Sequence, residues 1–414
     1  MRVKLNSGFR RSAAAISAVV FAAIVIVPGT SGFLAWSAAQ KGNWLRATQL
    51  ESRNAEWPCN LGAHYLILDG DARAAIPYLE SGVRLNPHNA VCWTALGDAY
   101  AHAGDLTNER RTLEAALQAE PNDAHIALNT ATIYANSNEV ARALPLYRVA
   151  LEKRPDWASQ IVPNIWFHDP NAEELISKAL PVTSAPRLAL LKLLVEKNEW
   201  SAARLVWQKI VQSGEPFTSK EGLFYVDGLL AQNNAETARA AWSEMAQRDS
   251  DVAQRTTIGN AIVNAGFERN ILNGGFDWSY RPQEGVNVSV DTAEFHSGSR
   301  SLALTFDATN LSDAGVKQFV VVQPGSRYSF SAWVRADSIE TANGPRFSLI
   351  DPKTNQVVFT SEDALGSFPW RSIAGEFSTG PTTDLLELSV VRSPANGRIR
   401  GRLWIDDLEL VRNQ

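Results

Sequence analysis

Aromatic side chains along one predicted strand are the residues in this sequence best suited to binding chemistry. The segment from Tyr328 to Arg335 alternates, and its apolar residues predict a face toward the core, which puts Trp333 and Arg335 on the opposite face. Sugar C–H groups stack on aromatic rings, so a tryptophan beside an arginine on an open sheet face suits a glycan. Trp278 and Tyr280, in the long loop upstream, are further candidates. The alternative is that a loop or the helical part of the chain covers each of these rings.

Groups that could catalyse a reaction are not arranged to do so. The six histidines are scattered, at positions 64, 88, 102, 125, 168 and 296. The sequence contains no zinc-binding His-Glu-x-x-His, no phosphate-binding glycine loop and no nucleophile elbow. Glu173 and Glu174 begin a polar helix, where acidic side chains favour the helix dipole. We therefore expect a binding protein and no enzyme.

The chain has only two cysteines, Cys59 and Cys92, so no disulfide framework holds it together. In an oxidising compartment the two can pair. The alternative is that they are two small buried residues in neighbouring helices. Both interpretations stay open, because the geometry that a disulfide requires cannot be read from the sequence.

A repeat of 34 residues organises the first half of the chain. Three consecutive segments end in prolines at this interval, Pro87, Pro121 and Pro155. The segments carry Leu66, Gly70, Ala75 and Leu79, then Trp93, Leu96, Gly97, Tyr100, Gly104, Leu113 and Ala116, then Ala131, Tyr134, Ala143, Tyr147 and Ala150. This pattern resembles the tetratricopeptide repeat, most closely over residues 56–155. The resemblance implies helix pairs stacked into an all-α solenoid, which we extend in degenerate form over residues 37–258.

The same resemblance implies which side chains line the inner face of the array. They are polar and weakly charged: Asn60, His64, Thr94, Asp98, His102, His125, Thr132 and Asn136. One interpretation is a solvated face, and the other is a groove that binds an extended peptide or a helix of a protein partner. The basic and asparagine positions with which some family members hold a terminal carboxylate are not matched here.

Near Ile258 the composition changes from alanine-rich helix to glycine, serine, valine and threonine with alternating apolar residues. This change predicts an all-β sandwich over residues 259–414. Its motifs, in chain order, are Asn264–Glu268, His296–Leu302, Pro324–Trp333 and Trp404–Leu408. They resemble the jelly-roll carbohydrate-binding modules of bacterial glycoside hydrolases. The resemblance implies the fold and, less directly, a polysaccharide ligand.

The resemblance also implies a structural calcium ion. In such modules an acidic residue of the opening motif and one of the closing pair help to hold it, and the matching residues are Glu268 and Asp406. We expect Leu408 and Leu410 to face the core, and a period of two then puts Asp406 and Trp404 on the same side. A carboxylate there needs a cation or hydrogen-bond donors. The alternative is that Asp406 accepts backbone hydrogen bonds in a turn.

The N-terminus carries a targeting signal. Arg2, Lys4, Arg10 and Arg11 precede a stretch without charge from Ser12 to Gln40. We predict a basic cytoplasmic tail over residues 1–11 and a transmembrane helix over residues 12–36, with the bulk of the chain exported. The alternative is a cleaved secretory signal with small residues at 37–39 as the cleavage site.

The whole sequence thus predicts a multidomain protein: a transmembrane helix, a tetratricopeptide-like solenoid and a jelly-roll sandwich. A net charge of −5 gives no electrostatic reason to expect nucleic acid. The combination resembles uncharacterised bacterial proteins associated with exopolysaccharide production. We expect a scaffold tethered to the inner membrane, with a protein partner on the repeats and a polysaccharide on the sandwich.

Two other functions remain open. The protein could be a glycan-binding or glycan-processing accessory with the repeats as a stalk. Alternatively, the sandwich could only cap the solenoid, which contact with the helix of Trp242 would favour.

Overall fold

The structure, a computed structural model, describes residues 8–395 and 397–413. Residues 1–7, which hold most of the predicted basic tail, lie outside the described residues, as do Asn396 and Gln414. The chain forms two compact units, the first ending at Leu190 and the second beginning at Leu191. The change from helices to strands falls inside the second unit.

Helices fill the chain as far as Ala253. Helices α1 to α15 have the bounds Gly8–Ala39, Trp44–Leu50, Glu56–Ile67, Ala72–Leu85, Ala90–Ala103, Leu106–Ala119, Ala124–Asn136, Val140–Lys153, Ala158–His168, Ala172–Glu174, Ser184–Glu196, Trp200–Ser213, Ser219–Ala231, Ala235–Ala246 and Ser250–Ala253. A π-helical turn over Leu175–Ala179 follows α10. Within the described part of the chain, no helix combines the length and apolar character needed to cross a bilayer.

The repeats form the helix pairs α3–α4, α5–α6 and α7–α8. Asp or Asn side chains cap the N-termini of α4 to α7 by accepting a backbone N–H, as Asn89 does from Cys92 and Asp105 from Asn108. Gly97 shows why the pairs pack closely, because a Cβ added there would lie 2.4 Å from the side chain of Leu113. A side chain at this position would push the two helices apart.

A disulfide joins the first helices of two consecutive repeats. The sulfurs of Cys59 in α3 and Cys92 in α5 are bonded, with their Cα atoms 5.6 Å apart. Gly82 of α4 makes room for the bridge, since a Cβ there would lie 2.3 Å from the Cys59 sulfur. The bridge closes a loop of 33 residues. In the chain-entropy model, a loop of that size stabilises the fold by about 3–4 kcal/mol.

The second unit ends in a sandwich of two five-stranded antiparallel sheets. Strands β1 to β10 have the bounds Ser279–Tyr280, Val286–Asp291, Ser301–Thr309, Asp313–Val321, Arg327–Glu340, Arg346–Asp351, Gln356–Thr360, Gly366–Ser378, Leu385–Val391 and Ile399–Arg412. The first sheet has the order β1-β4-β9-β6-β7 and the second β2-β3-β10-β5-β8. Their inner faces share one apolar core.

Strand β10 contains a bulge, and this overturns part of the sequence prediction. Asp407 has a φ of 44°, and the pairing of β10 with β5 shifts register beside it. The core side of β10 is lined by Leu403, Ile405, Leu408 and Leu410. The bulge resets the alternation, so Trp404 and Asp406 lie on the outer face of the second sheet and not on the side of Leu408.

The loop before β1 packs against the last helices of the same unit. Phe276 contacts Trp242 of α14 edge to face, with ring centroids 6.0 Å apart. The N–H of Gly275 donates to the carboxylate of Asp227 in α13 at 2.6 Å. Arg255 and Asp277 form a buried ion pair at 2.8 Å. Ion pairs and apolar contacts thus fasten the sandwich to the helices, which is the contact that the capping interpretation requires.

One buried carboxylate in the array has no counterpart in the neighbouring repeats. Glu109 of α6 is fully buried, and among the described residues neither of its oxygens has a hydrogen-bond partner. Ala75 and Ala143 occupy the same place, 34 residues before and after it. Burial raises the pKa of Glu109.

We predict that Glu109→Ala stabilises the protein at neutral pH, with a free energy of unfolding higher by about 1–3 kcal/mol, because a buried unpaired polar group is removed. The raised pKa means that the folded state favours the protonated acid. Wild-type stability from this group is therefore greatest at low pH and is lost as pH rises, so the advantage of the variant grows with pH. Urea unfolding across a pH series measures both effects.

Glu114→Ala, at an exposed position of the same helix, is the matched control and should change stability little. A destabilised Glu109→Ala variant with an unchanged pH profile would contradict this account.

Candidate functional site

The outer face of the second sheet collects the aromatic side chains of the sandwich. In β5, Phe330, Ala332 and Val334 face the core as the alternation predicted. Trp333 and Arg335 consequently project from the other side. Strand β8 lies next to β5 and contributes Trp370, while β10 on the other side contributes Trp404. The sequence did not single out these last two as binding residues, because their place depends on strand order and on the bulge.

Trp333 is partly covered by a loop. His296, in the loop of residues 292–300 between β2 and β3, stacks on Trp333 with ring centroids 3.8 Å apart and planes at 14°. The same imidazole lies 5.8 Å from Trp370. We call His296, Trp333 and Trp370 the aromatic patch. Among the described residues, no ring stacks face to face on Trp370 of this patch.

Arg335 is held between an aromatic ring and an acid. Its guanidinium lies 5.3 Å from the ring centroid of Trp404 and pairs with Glu294 of the same loop. Trp404 itself is buried under this contact, and its indole N–H donates to Asp291 at 2.8 Å. Arg335 therefore presents a fixed guanidinium beside the patch.

The other two predicted glycan residues lie elsewhere. The prediction of Trp278 as a platform is wrong, because Trp278 is 1% exposed, packs at a tilt against Phe267 and donates its indole N–H to the carbonyl of Asn264. It is a core residue that anchors the opening motif. Tyr280, in β1 of the first sheet, is 37% exposed and does not lie on the face of Trp333.

Two cavities flank the aromatic patch on this face. One has a volume of about 540 Å³ and is lined by Arg335, Ala336, Asp337, Ser367, Phe368, Pro369 and Trp370. The other, of about 690 Å³, is bordered by Trp333 and by polar residues that include Asn260, Asn264, Ser331, Asp407 and Glu409. Each cavity thus places the edge or face of a tryptophan beside several hydrogen-bonding side chains, as a sugar site requires.

Two carboxylates hold the backbone of residues 296–300, the part of the loop that carries His296. Asp406 is fully buried and accepts the backbone N–H groups of His296, at 2.8 Å, and Ser297, at 3.1 Å. Glu268 accepts from the N–H and hydroxyl of Ser299 and from the N–H of Arg300. We call these contacts the carboxylate clamp. It fixes both ends of the segment that lies over Trp333.

The clamp bears on the predicted calcium site. The carboxylate oxygens of Glu268 and Asp406 face N–H donors and not the main-chain oxygens that a calcium ion would need beside them. Over the described ranges, no group of three or more His, Cys, Asp or Glu side chains converges on a metal position. In this arrangement Asp406 accepts backbone hydrogen bonds, as the alternative interpretation expects. The calcium ion stays a prediction.

The electrostatics of the two clamp residues differ. Burial raises the pKa of Asp406 to about 6, against the lowering effect of the N–H groups of Ser297 and His296. Burial also acts to raise the pKa of Glu268, but the hydrogen bonds from Ser299 and Arg300 outweigh it and hold that pKa below its usual value. The clamp therefore contains one acid that favours the charged form and one that favours the neutral form.

The predicted groove of the helical array has mostly accessible side chains. His102, His125 and Asn136 are exposed, while Asn60, His64, Asp98 and Thr132 are half-buried. Thr94 is a correction, because it is buried and its hydroxyl donates to the carbonyl of Ala90, one turn earlier. Its place on the first helix of the repeat is right, but its side chain is not available to a partner.

Two histidines of the predicted groove make contacts that fix their side chains. His102 lies 3.1 Å from the carboxylate of Asp98, and His125 packs edge to face against Trp157. Burial raises the pKa of Asp98, and the neighbouring His102 lowers it in part.

Comparison with known families supports both kinds of domain that the sequence predicted. Residues 259–396 match a family model described as a carbohydrate binding domain. Residues 62–112 and 110–157 match the tetratricopeptide repeat. The chain therefore contains tetratricopeptide repeats and a sandwich of the carbohydrate-binding type. No curated protein matches the chain.

Solved structures similar to the sandwich include carbohydrate-binding modules at low identity. A family 16 module is 20% identical and aligns over 37% of this chain and 99% of its own, with a TM-score of 0.28. A family 61 module in complex with β-1,4-galactotriose is 20% identical over 37% and 99%, with a TM-score of 0.27. A xylan-binding module from Paenibacillus barcinonensis is 16% identical over 36% and 91%, with a TM-score of 0.25. Likeness at this level carries no functional argument.

We predict a specific pH dependence for Asp406→Asn. The pKa of Asp406 rises from 3.8 to about 6 on folding, so its contribution to stability is fully present below pH 3.8 and is lost as pH rises through about 6. The free energy of unfolding of the wild type minus that of the variant should therefore fall by about 3 kcal/mol between these limits. Urea unfolding of both proteins at several pH values measures this difference.

A difference that stays constant, or that grows with pH, would contradict the buried position of Asp406. Melting with and without a chelator at one pH separates this effect from any contribution of bound calcium.

Proposed function

We propose that this protein is a non-enzymatic scaffold that binds a glycan on the outer face of the second sheet and a protein on the helical repeats. Its context would be exopolysaccharide production at a bacterial membrane, as the sequence resemblance suggests. The alternative with the repeats as a passive stalk shares the glycan site and differs only in the role of the array.

The observation that supports the glycan site best is the wall of the 540 Å³ cavity. It places the half-buried Trp370 beside the guanidinium of Arg335, the carboxylate of Asp337 and the hydroxyl of Ser367. A pyranose ring needs an apolar platform for its C–H face and planar polar groups for its hydroxyls. Because Arg335 is already fixed by Trp404 and Glu294, its ordering on binding costs little entropy.

The helical repeats supply the second part of the proposal. The predicted groove carries polar side chains without strong net charge, of which His102, His125 and Asn136 are exposed and Asn60, His64, Asp98 and Thr132 are half-buried. Such a surface suits a partner segment that offers hydrogen bonds more than charge.

A tether to the membrane through α1 is the third part. On its described positions this helix exposes Ile16, Val19 and Val20, and nearer its end Phe33 and Trp36. Exposed apolar side chains in a row favour an apolar environment over water, and the interior of a bilayer would provide one. The disulfide supports an oxidising compartment for the array, in agreement with an exported bulk.

A purely structural role of the sandwich is the second candidate function. The contacts of Phe276 with Trp242 and of Gly275 with Asp227 favour it, because they cover the last helices of the unit. Capping does not use the aromatic patch, so the two roles do not exclude each other.

We predict that Trp370→Ala weakens retention by polysaccharide about fivefold, which corresponds to about 1 kcal/mol for one ring stack. Affinity electrophoresis in gels that contain one polysaccharide at a time measures this. Arg335→Lys should also weaken retention, because the planar guanidinium is lost while the charge is kept.

Phe319→Ala is the matched control, since Phe319 is a half-buried ring on the outer face of the first sheet. Equal losses for Phe319→Ala and Trp370→Ala, or retention of no polysaccharide by the wild type, would refute the proposed face. Unchanged melting temperatures confirm that each variant is folded.

For the tether, we predict that the full chain stays with the membrane pellet after alkaline extraction. A charged residue in an inserted segment costs about 2.5–3.5 kcal/mol, so Val20→Asp should move protein to the supernatant. Ile67→Asp, at another exposed apolar position, is the control and should stay in the pellet. Wild-type protein in the supernatant would refute the tether.

A further inference from the structure

One edge of the first sheet is only partly covered. Strand β1 has two residues and pairs with β4 only at Val316 and Lys317. On its other side β4 pairs with β9 as far as Val321. The β4 edge beyond Lys317 therefore extends past the end of its neighbouring strand.

The backbone directions along β4 follow from two hydrogen bonds. The N–H of Val322 donates to Asp384, which leads into β9, and the carbonyl of Gly315 accepts from Arg281, which follows β1. Residues alternate in an antiparallel ladder, so the N–H and C=O groups of Phe319 and Val321 point to the β1 side. Among the residues that the structure describes, nothing bonds to these four backbone groups.

A groove adjoins the Val321 end of this edge inside the second unit. It has a volume of about 850 Å³, with Val321 and Val322 along the strand and with Trp242, Phe276 and Tyr328 as aromatic walls. The rim carries two acids and two bases, Glu236, Arg239, Asp384 and Arg412. These four charges balance, so the groove would select a ligand by its shape, its apolar surface and its backbone hydrogen bonds.

We propose that this edge binds an extended segment of a partner protein as an added β-strand, with apolar residues at alternate positions. The backbone of the segment would bond to Phe319 and Val321, and the apolar side chain nearest Val321 would enter the groove. A bare edge of N–H and C=O groups is a template for a strand and for no other common ligand. A sugar has no matching row of donors and acceptors, so this site is separate from the glycan face.

The test uses the full-length protein and short random peptides displayed on phage. Val321→Pro removes the N–H that points into the groove and leaves the ladder with β9 intact, which a sheet edge tolerates. We expect peptides selected on the wild type to bind Val321→Pro about tenfold more weakly or worse, because one backbone bond is lost and the proline ring fills its place. Val321→Ala keeps the N–H and should keep the binding.

A second measurement keeps the proposal testable if Val321→Pro fails to fold. N-methylation along a selected peptide should abolish binding at alternate residues and be tolerated at those between, because only every second N–H meets β4. Binding that depends on peptide side chains but not on this period of two would overturn the proposal. So would equal binding by Val321→Pro and the wild type.

The same variants report on a second copy of the chain as occupant. If the wild type forms a dimer that Val321→Pro dissociates, the edge is a homodimer contact and a foreign strand is excluded. A monomeric wild type that binds the selected peptides supports the proposal.

Discussion

The bulge at Asp407 is the constraint on which the outer face of the second sheet depends. A residue other than glycine in the left-handed region is uncommon, and aspartate tolerates it better than most. This single extra residue lets both halves of β10 keep leucine and isoleucine in the core while Trp404 and Asp406 turn outward. Asp406 then holds the backbone of His296, whose ring lies on Trp333. Without the bulge, Asp406 would not hold the backbone of His296 over Trp333.

Much of the architecture could be predicted from the sequence. The interval of 34 residues between prolines and the small residue at Gly97 indicated paired helices, because only a repeated packing unit imposes such spacing. The alternation in β5 correctly separated Trp333 and Arg335 from the core. These signals are local, so they survive without knowledge of the tertiary structure.

Apart from Thr94, the failures depend on contacts between distant residues. A bulge leaves no mark in the alternation of a single strand, which explains the wrong side assigned to Trp404 and Asp406. Trp278 stands in a loop by sequence, yet its ring packs on Phe267, which belongs to the opening motif. The pairing of Cys59 with Cys92 stayed open because only the packing of α3 against α5 brings the sulfurs together.

The disulfide also determines how the array responds to tension. When the chain is pulled from its two ends, force passes from Cys59 directly to Cys92 through the covalent bridge. The segment between the two cysteines carries none of the pulling force. At about 3.5 Å per extended residue, roughly 110 Å of chain therefore cannot be extended. Helix α4 and the ends of its neighbours would thus stay folded while flanking helices unravel. A protein fixed at one end and attached to a long polymer at the other would keep this short mechanical element intact.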